Sequence, residues 1–148
     1  MTTAQEIFEA AIAIMDEQNA SGQADHSDTT EYKNRTLPIL NILRGELYPY
    51  SDSYALDGNG RPISAQILDF ETPIELDDYI CQSVMPYGLA ATLLVNEDPA
   101  VANYCQQRYD ELKAGLKSGY PAMGSEDIVD VYGPKGGIWP YNEFSLWG

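Results

Sequence analysis

Apolar residues recur at three- and four-residue steps in four stretches of the chain, and the steps predict four helices. Thr3 followed by Glu6 is a capping-box pair, and Ile7, Phe8, Ala11, Ile14 and Met15 then keep one face, so a first amphipathic helix is predicted from residue 4 to about 18. Asn19, Ser21 and Gly22 are the expected stop, followed by a polar loop to Ser27. Asp28 with Glu31 repeats the start signal. Tyr32, Ile39, Leu43 and Leu47 then form a stripe to about residue 47, with Pro38 expected to kink the helix one turn earlier. A third stripe, Leu76, Ile80, Val84, Leu89 and Leu93, contains Pro86 and Gly88, which predicts a bend or split. Asp98 then Pro99 reads as an N-cap with proline at the first helical position. Val101, Tyr104, Cys105, Arg108, Leu112 and Leu116 continue that fourth helix, and Gly119 suits its left-handed end.

Between the second and third stripes the pattern changes to Pro, Gly, Asp, Ser and Tyr. Asp57-Gly58-Asn59-Gly60 is a turn signal between Ser53–Leu56 and Ile63–Phe70, so an irregular arm or short β-hairpin is expected over about 49–75. Residues 120–148 have no helical period, contain three prolines, and carry widely spaced bulky groups including Trp139 and Trp147. Each such side chain gains about 1.5 to 3 kcal/mol on burial, so the segment is expected to bury them, either against the helical body of the same chain or against a neighbouring subunit. The fold expected is therefore mainly α: a small four-helix bundle over 1–119 with an inserted arm, and an extended, aromatic-rich interaction tail over 120–148.

With 148 residues, 44% apolar and 21% charged, the chain is long enough for one domain with its own core. Charge narrows its partners. Twenty-three acidic against eight basic residues leave a formal −15, which repels phosphate backbones and anionic membrane surfaces. No apolar run approaches the ~20 residues that span a bilayer, and Met1 is not followed by a basic-then-apolar leader. The expectation is a protein made and kept in a reducing cytoplasm, with Cys81 and Cys105 as buried thiols rather than a disulfide.

Candidate chemistry is thin. His26 is the single histidine and falls in the polar loop, where it reads as a solvated residue, so no His-based triad or multi-histidine metal site can be assembled. Asp57 to Pro62 begins like a calcium loop but places Arg61 and Pro62 where an oxygen ligand and glycine are needed. Gly133-Pro134-Lys135-Gly136-Gly137 lacks the spacing and hydroxyl of a phosphate cradle. Asp69 with Glu71, and Asp77 with Asp78, are carboxylate pairs, but nothing places them in a pocket, and the second pair complements a helix N-terminus. The expectation is no enzyme, no catalytic residue, no cofactor and no metal. Candidate partner contacts are Ile138, Trp139, Tyr141, Phe144 and Trp147 in the tail and Tyr54, Ile63 and Ile67 in the arm. Arg108 is either an ion-pair partner across an interface or an arginine whose stem packs while its head reaches water.

Four segments, Met85–Ala91, Asn96–Tyr104, Gln107–Leu112 and Asp130-Val131-Tyr132-Gly133 through Phe144-Ser145-Leu146-Trp147, resemble the small head-tail connector (adaptor) proteins of tailed double-stranded DNA bacteriophages. The likeness covers roughly 4–48 and 76–147 and departs at the Tyr48–Thr72 insertion. It implies a helical bundle with extended loops and tails that forms a homo-oligomeric ring, typically of twelve subunits, beneath the portal protein in the neck of the virion. The partners implied are portal and neck or tail proteins, with DNA passing through the channel without sequence-specific binding. A tail-completion or stopper subunit of the same neck would share this composition. A soluble acidic regulator or anti-host protein is the expectation from another class.

Overall fold

The structure is a computed structural model that describes residues 1–63 and 65–118. Among these the chain forms a small bundle of four α-helices: α1 (Ala4–Ile14), α2 (Thr30–Leu47), α3 (Met85–Leu94) and α4 (Pro99–Ser118). The turn Ser27–Thr29 leads into α2, Tyr48–Tyr50 follows it, and a wider π-helical turn, Ile80–Val84, runs directly into α3.

Helix α1 opens as its sequence dictates. The Thr3 hydroxyl accepts from the Glu6 N–H while the Thr3 N–H donates to the Glu6 carboxylate at 2.8 Å. The helix ends earlier than residue 18. Asp16 takes a left-handed φ of 59°, its N–H donates to the Ala13 carbonyl, and the Glu17 N–H reaches back to Ile12. That pair of bonds is a Schellman closure built on aspartate instead of the usual glycine. Ile7, Phe8, Ala11 and Ile12 form the buried face.

Helix α2 begins at Thr30, not at Asp28. Thr29 makes the entry: its hydroxyl accepts from the His26 N–H at 3.1 Å and donates to the Ala24 carbonyl at 2.6 Å. The imidazole of His26 lies 2.7 Å from the Glu17 carbonyl, so this half-buried side chain ties the α1–α2 loop together and is not a solvated residue. The helix runs through Pro38 without interruption.

The centre of the molecule is α3. Met85, Pro86, Leu89, Ala90, Leu93 and Leu94 are all buried, and the helix packs against each of the other three. A helix apolar on nearly every side belongs in the interior. Pro86 has no N–H and its ring would strike the Gln82 carbonyl in a regular helix. The chain widens just before it instead, with the Met85 N–H donating to the Ile80 carbonyl, five residues back. The expected split is therefore a π-turn. Gly88 sits where α2, α3 and α4 meet; a Cβ there would lie 2.9 Å from the Tyr109 ring and 3.0 Å from Leu43. Arg35 of α2 donates to the Thr92 and Leu93 carbonyls, satisfying the last turn of α3.

Helix α4 starts as predicted: the Asp98 carboxylate accepts from the Val101 N–H at 3.3 Å, and its carbonyl from Ala102. Ala102, Cys105 and Tyr109 face the core, whereas Tyr104 is 57% exposed. The Gly119 cap lies outside the described residues. Both cysteines are free and buried. Among the described residues no helix is long and apolar enough to cross a membrane.

Candidate functional site

The arm is the first surface the sequence singles out. The Asp57 carboxylate accepts from the N–H groups of Asn59 and Arg61 at 2.8 and 2.9 Å, and Gly60, with φ of 78°, donates to the Asp57 carbonyl. The Ile63 N–H pairs with the Ala55 carbonyl at 2.8 Å, and Leu56 bridges Pro62 in antiparallel sense. These bonds make a hairpin-like turn supported by isolated bridges, with no extended strand among the described residues. The Asp57 oxygen is occupied by backbone amides, as an Asx turn requires.

Two clamps hold this arm to the helices. The Tyr48 hydroxyl accepts from the Ala55 N–H and donates to the Ile63 carbonyl, while its ring meets Tyr54 edge-on at 5.1 Å. Further along, the Asn41 side chain grips the backbone of Ile67 from both sides: its amide donates to the Ile67 carbonyl at 2.9 Å and its oxygen accepts the Ile67 N–H at 2.7 Å. The segment then returns beside the start of α1, where Ile74 pairs with Thr2 and Gln5 with Phe70.

This arrangement sorts the expected contacts. Ile67 is only 8% exposed and belongs to the chain's own core, so it is withdrawn as a partner contact; the Asn41 clamp turns it inward. Tyr54 is half-buried against Tyr48. Ile63 remains 54% exposed. Three large apolar side chains that were not anticipated join it: Leu56 at 50%, Ile42 at 70% and Leu68 at 77%. Ile42 and Leu68 are the residues next to the two partners of the Asn41 clamp. Their signal was available in Ile39-Leu40-Asn41-Ile42, an apolar run wider than one helix stripe needs. Ile138, Trp139, Tyr141, Phe144 and Trp147 lie outside the described residues.

Arg108 finds its carboxylate inside its own helix. It bonds Glu111 at 3.1 Å, three residues on, and its guanidinium lies 5.8 Å from the Tyr87 ring centre, leaving the side chain 40% exposed. The i,i+3 spacing supplies the partner locally, so no carboxylate from across an interface is needed.

The acidic pairs are committed to loop structure. Asp69 accepts from the Thr72 N–H, the Thr72 hydroxyl and the Glu71 N–H, and the Thr72 bonds hold its carboxyl below the usual carboxylate range. Asp77 accepts from Ser51 and Asp52, and Asp78 from Thr2, so both tie neighbouring segments to the start of the third helical stretch. Arg44, 3% exposed, stacks over Tyr48 at 5.6 Å and borders a cavity of about 150 Å³ closed by the 65–75 segment. Neither its burial nor the role of Asn41 is marked in the sequence, where both sit among ordinary helical polar residues. Among the described residues no group of three or more His, Cys, Asp or Glu is placed to hold a metal ion. Compared with protein families, curated proteins and solved structures, the chain matches none.

Proposed function

We propose that this chain is a structural subunit of a bacteriophage neck, assembling as a connector ring between portal and tail. The observation that carries the reading is a helical body with a filled core that still presents Leu56, Ile63, Ile42 and Leu68 to solvent around a clamped arm. Large apolar side chains left exposed on and beside the arm are material for an assembly contact. The tail supports it, because six large apolar residues within 138–147 call for a surface to cover them. The resemblance to connector proteins, carried by the Met85–Ala91 and Asn96–Leu112 segments, supplies the class of assembly.

Charge fits the same role. In a ring of −15 subunits, carboxylates facing the channel would let DNA slide past without adhering. A stopper subunit would occupy the adjoining position in the same neck and is separated from a connector by whether it binds the isolated portal. The test is location: an antibody against the chain should label the head-tail junction of purified particles. Chain found only in the lysate and never in particles would overturn the reading and favour an acidic regulator instead.

A further inference from the structure

A second surface lies away from the arm, in a groove of about 530 Å³ shared by three helices. Ala13 and Ile14 of α1 form one wall, Tyr79 and Tyr87 on either side of the π-turn form the floor and edge, and Arg108 and Leu112 of α4 close the other wall. Tyr79 is 57% exposed, and Ile14, Tyr87 and Leu112 are half-buried, so the groove offers apolar surface that the core leaves uncovered. The chain carries twenty-three carboxylates, yet among the described residues no Asp or Glu lines this groove, and Arg108, which does, is bonded to Glu111 beside it.

We infer that this groove receives the aromatic segment 138–147 of a second copy of the chain. The inference rests on the reading of the chain as a self-assembling subunit and names the contact that joins one copy to the next. Three arguments select this occupant. The segment Ile138-Trp139-Pro140-Tyr141-Asn142-Glu143-Phe144-Ser145-Leu146-Trp147 supplies aromatic side chains with polar edges for a groove whose apolar surface is interrupted by Gln82, Ser83 and Arg108. Its single carboxylate, Glu143, meets a lining in which Arg108 is balanced by Glu111 and no further acid is described, so docking meets less like-charge repulsion than most of this molecule would impose. Finally, residues 119–137 separate the segment from the end of α4, and a chain of that length extends to roughly 60 Å at ~3.3 Å per residue, enough to reach a neighbour. Because the groove and the segment are different surfaces, the contact is head-to-tail, and such a contact builds a ring when its rotation closes and a filament when it does not.

The chain provides its own probe. Its two tryptophans, Trp139 and Trp147, both belong to the segment, so indole emission reports its burial and nothing else. The experiment follows emission and mass of the full chain across a dilution series, for the natural sequence and for Ala13→Glu, which places a carboxylate at an exposed position of the groove wall without touching the core. Expected is emission shifted to the blue at high concentration that moves to the red on dilution as the mass falls. Ala13→Glu should raise the midpoint concentration by roughly tenfold or more while the circular dichroism stays unchanged. Mixing Ala13→Glu with a Trp139→Ala/Trp147→Ala chain should bring the blue shift back, since the one supplies a tail and the other an intact groove. Blue emission from a monomer at every dilution, red emission at every concentration, or an Ala13→Glu chain that associates like the natural one would each overturn the inference. If the chain in those cases still labels the particle neck, only the groove contact fails and the neck reading stands.

Discussion

Cys81 and Tyr32, together with the buried Cys105 and Tyr109, are groups through which alkali should reach this fold. Burial, with Asp78 and Asp77 adding repulsion, pushes the Cys81 thiol up to about 12. The hydrogen bond to Glu97, then burial, pushes the Tyr32 phenol up to about 12. The unfolded chain gives up these protons nearer 9 and 10, so between those values and about 12 it sheds protons that the folded chain keeps. Both contributions are whole below about pH 9 and are lost as the pH climbs. The melting temperature should therefore hold level from pH 7 to 8 and fall above about pH 9, and Cys81→Ala should flatten the first part of that fall. A melting temperature unchanged to pH 11 would contradict the environments assigned to both groups. At this scale the sequence is a fair guide where chemistry alone decides: two cysteines inside apolar periods read as buried thiols, and they are. It is a poor guide where a polar side chain has a choice of partners. His26 turns to the Glu17 carbonyl, a choice that no residue type or spacing marks, while Arg108 turns to Glu111, whose i,i+3 spacing offers one partner among several.

Among elements, the tightest constraint is the meeting of α2, α3 and α4 at Gly88. A methyl group there would come within 2.9 Å of the Tyr109 ring, whose phenol is buried beside Glu46 and held well above its usual value. Gly88→Ala should destabilise the chain by about 1 to 3 kcal/mol through overpacking, net of the ~1 kcal/mol that alanine gains as a helix former. Chemical denaturation measures it, and a more stable variant would show that the three helices can separate at no cost. The arm depends on a different device. Removing the Asn41 amide leaves the Ile67 N–H and carbonyl without partners, so Asn41→Ala should cost about 1 to 3 kcal/mol and speed protease cleavage between residues 55 and 68. Cleavage at the natural rate would mean that Tyr48 holds the arm unaided. Helix number, order and the starts of α1 and α4 are legible in the sequence because caps and periodicity are local signals. The stop of α1 is not, since aspartate seldom takes the left-handed conformation that ends it, and glycine further on offers a more familiar stop. Pro86 announces a disturbance, but the π-turn that absorbs it depends on α3 being packed on all sides.

At the level of the whole molecule, the proposed self-association of a −15 chain would have to overcome its own repulsion. Association should accordingly strengthen as salt rises from about 0.05 to 0.5 M, where screening contracts to a few ångströms, whereas an assembly held by ion pairs would weaken. Ile42→Asp with Leu68→Asp should lower association without lowering the melting temperature, because both side chains are exposed in the folded chain. The arm was legible as a break in helical period, but which of its apolar residues face outward was not: Ile67 and Leu68 are neighbours in an irregular segment, and only the clamp on Asn41 decides between them. The tail contacts at Ile138, Trp139, Tyr141, Phe144 and Trp147 lie outside the described residues and stand on sequence alone. The measurement that bears most directly on the proposed role is the mass of the purified chain, alone and mixed with an isolated portal ring, by light scattering behind a sizing column. A ring by itself, or a chain that shifts onto the portal, is the result the account predicts; a monomer indifferent to portal and to every other particle component would contradict it.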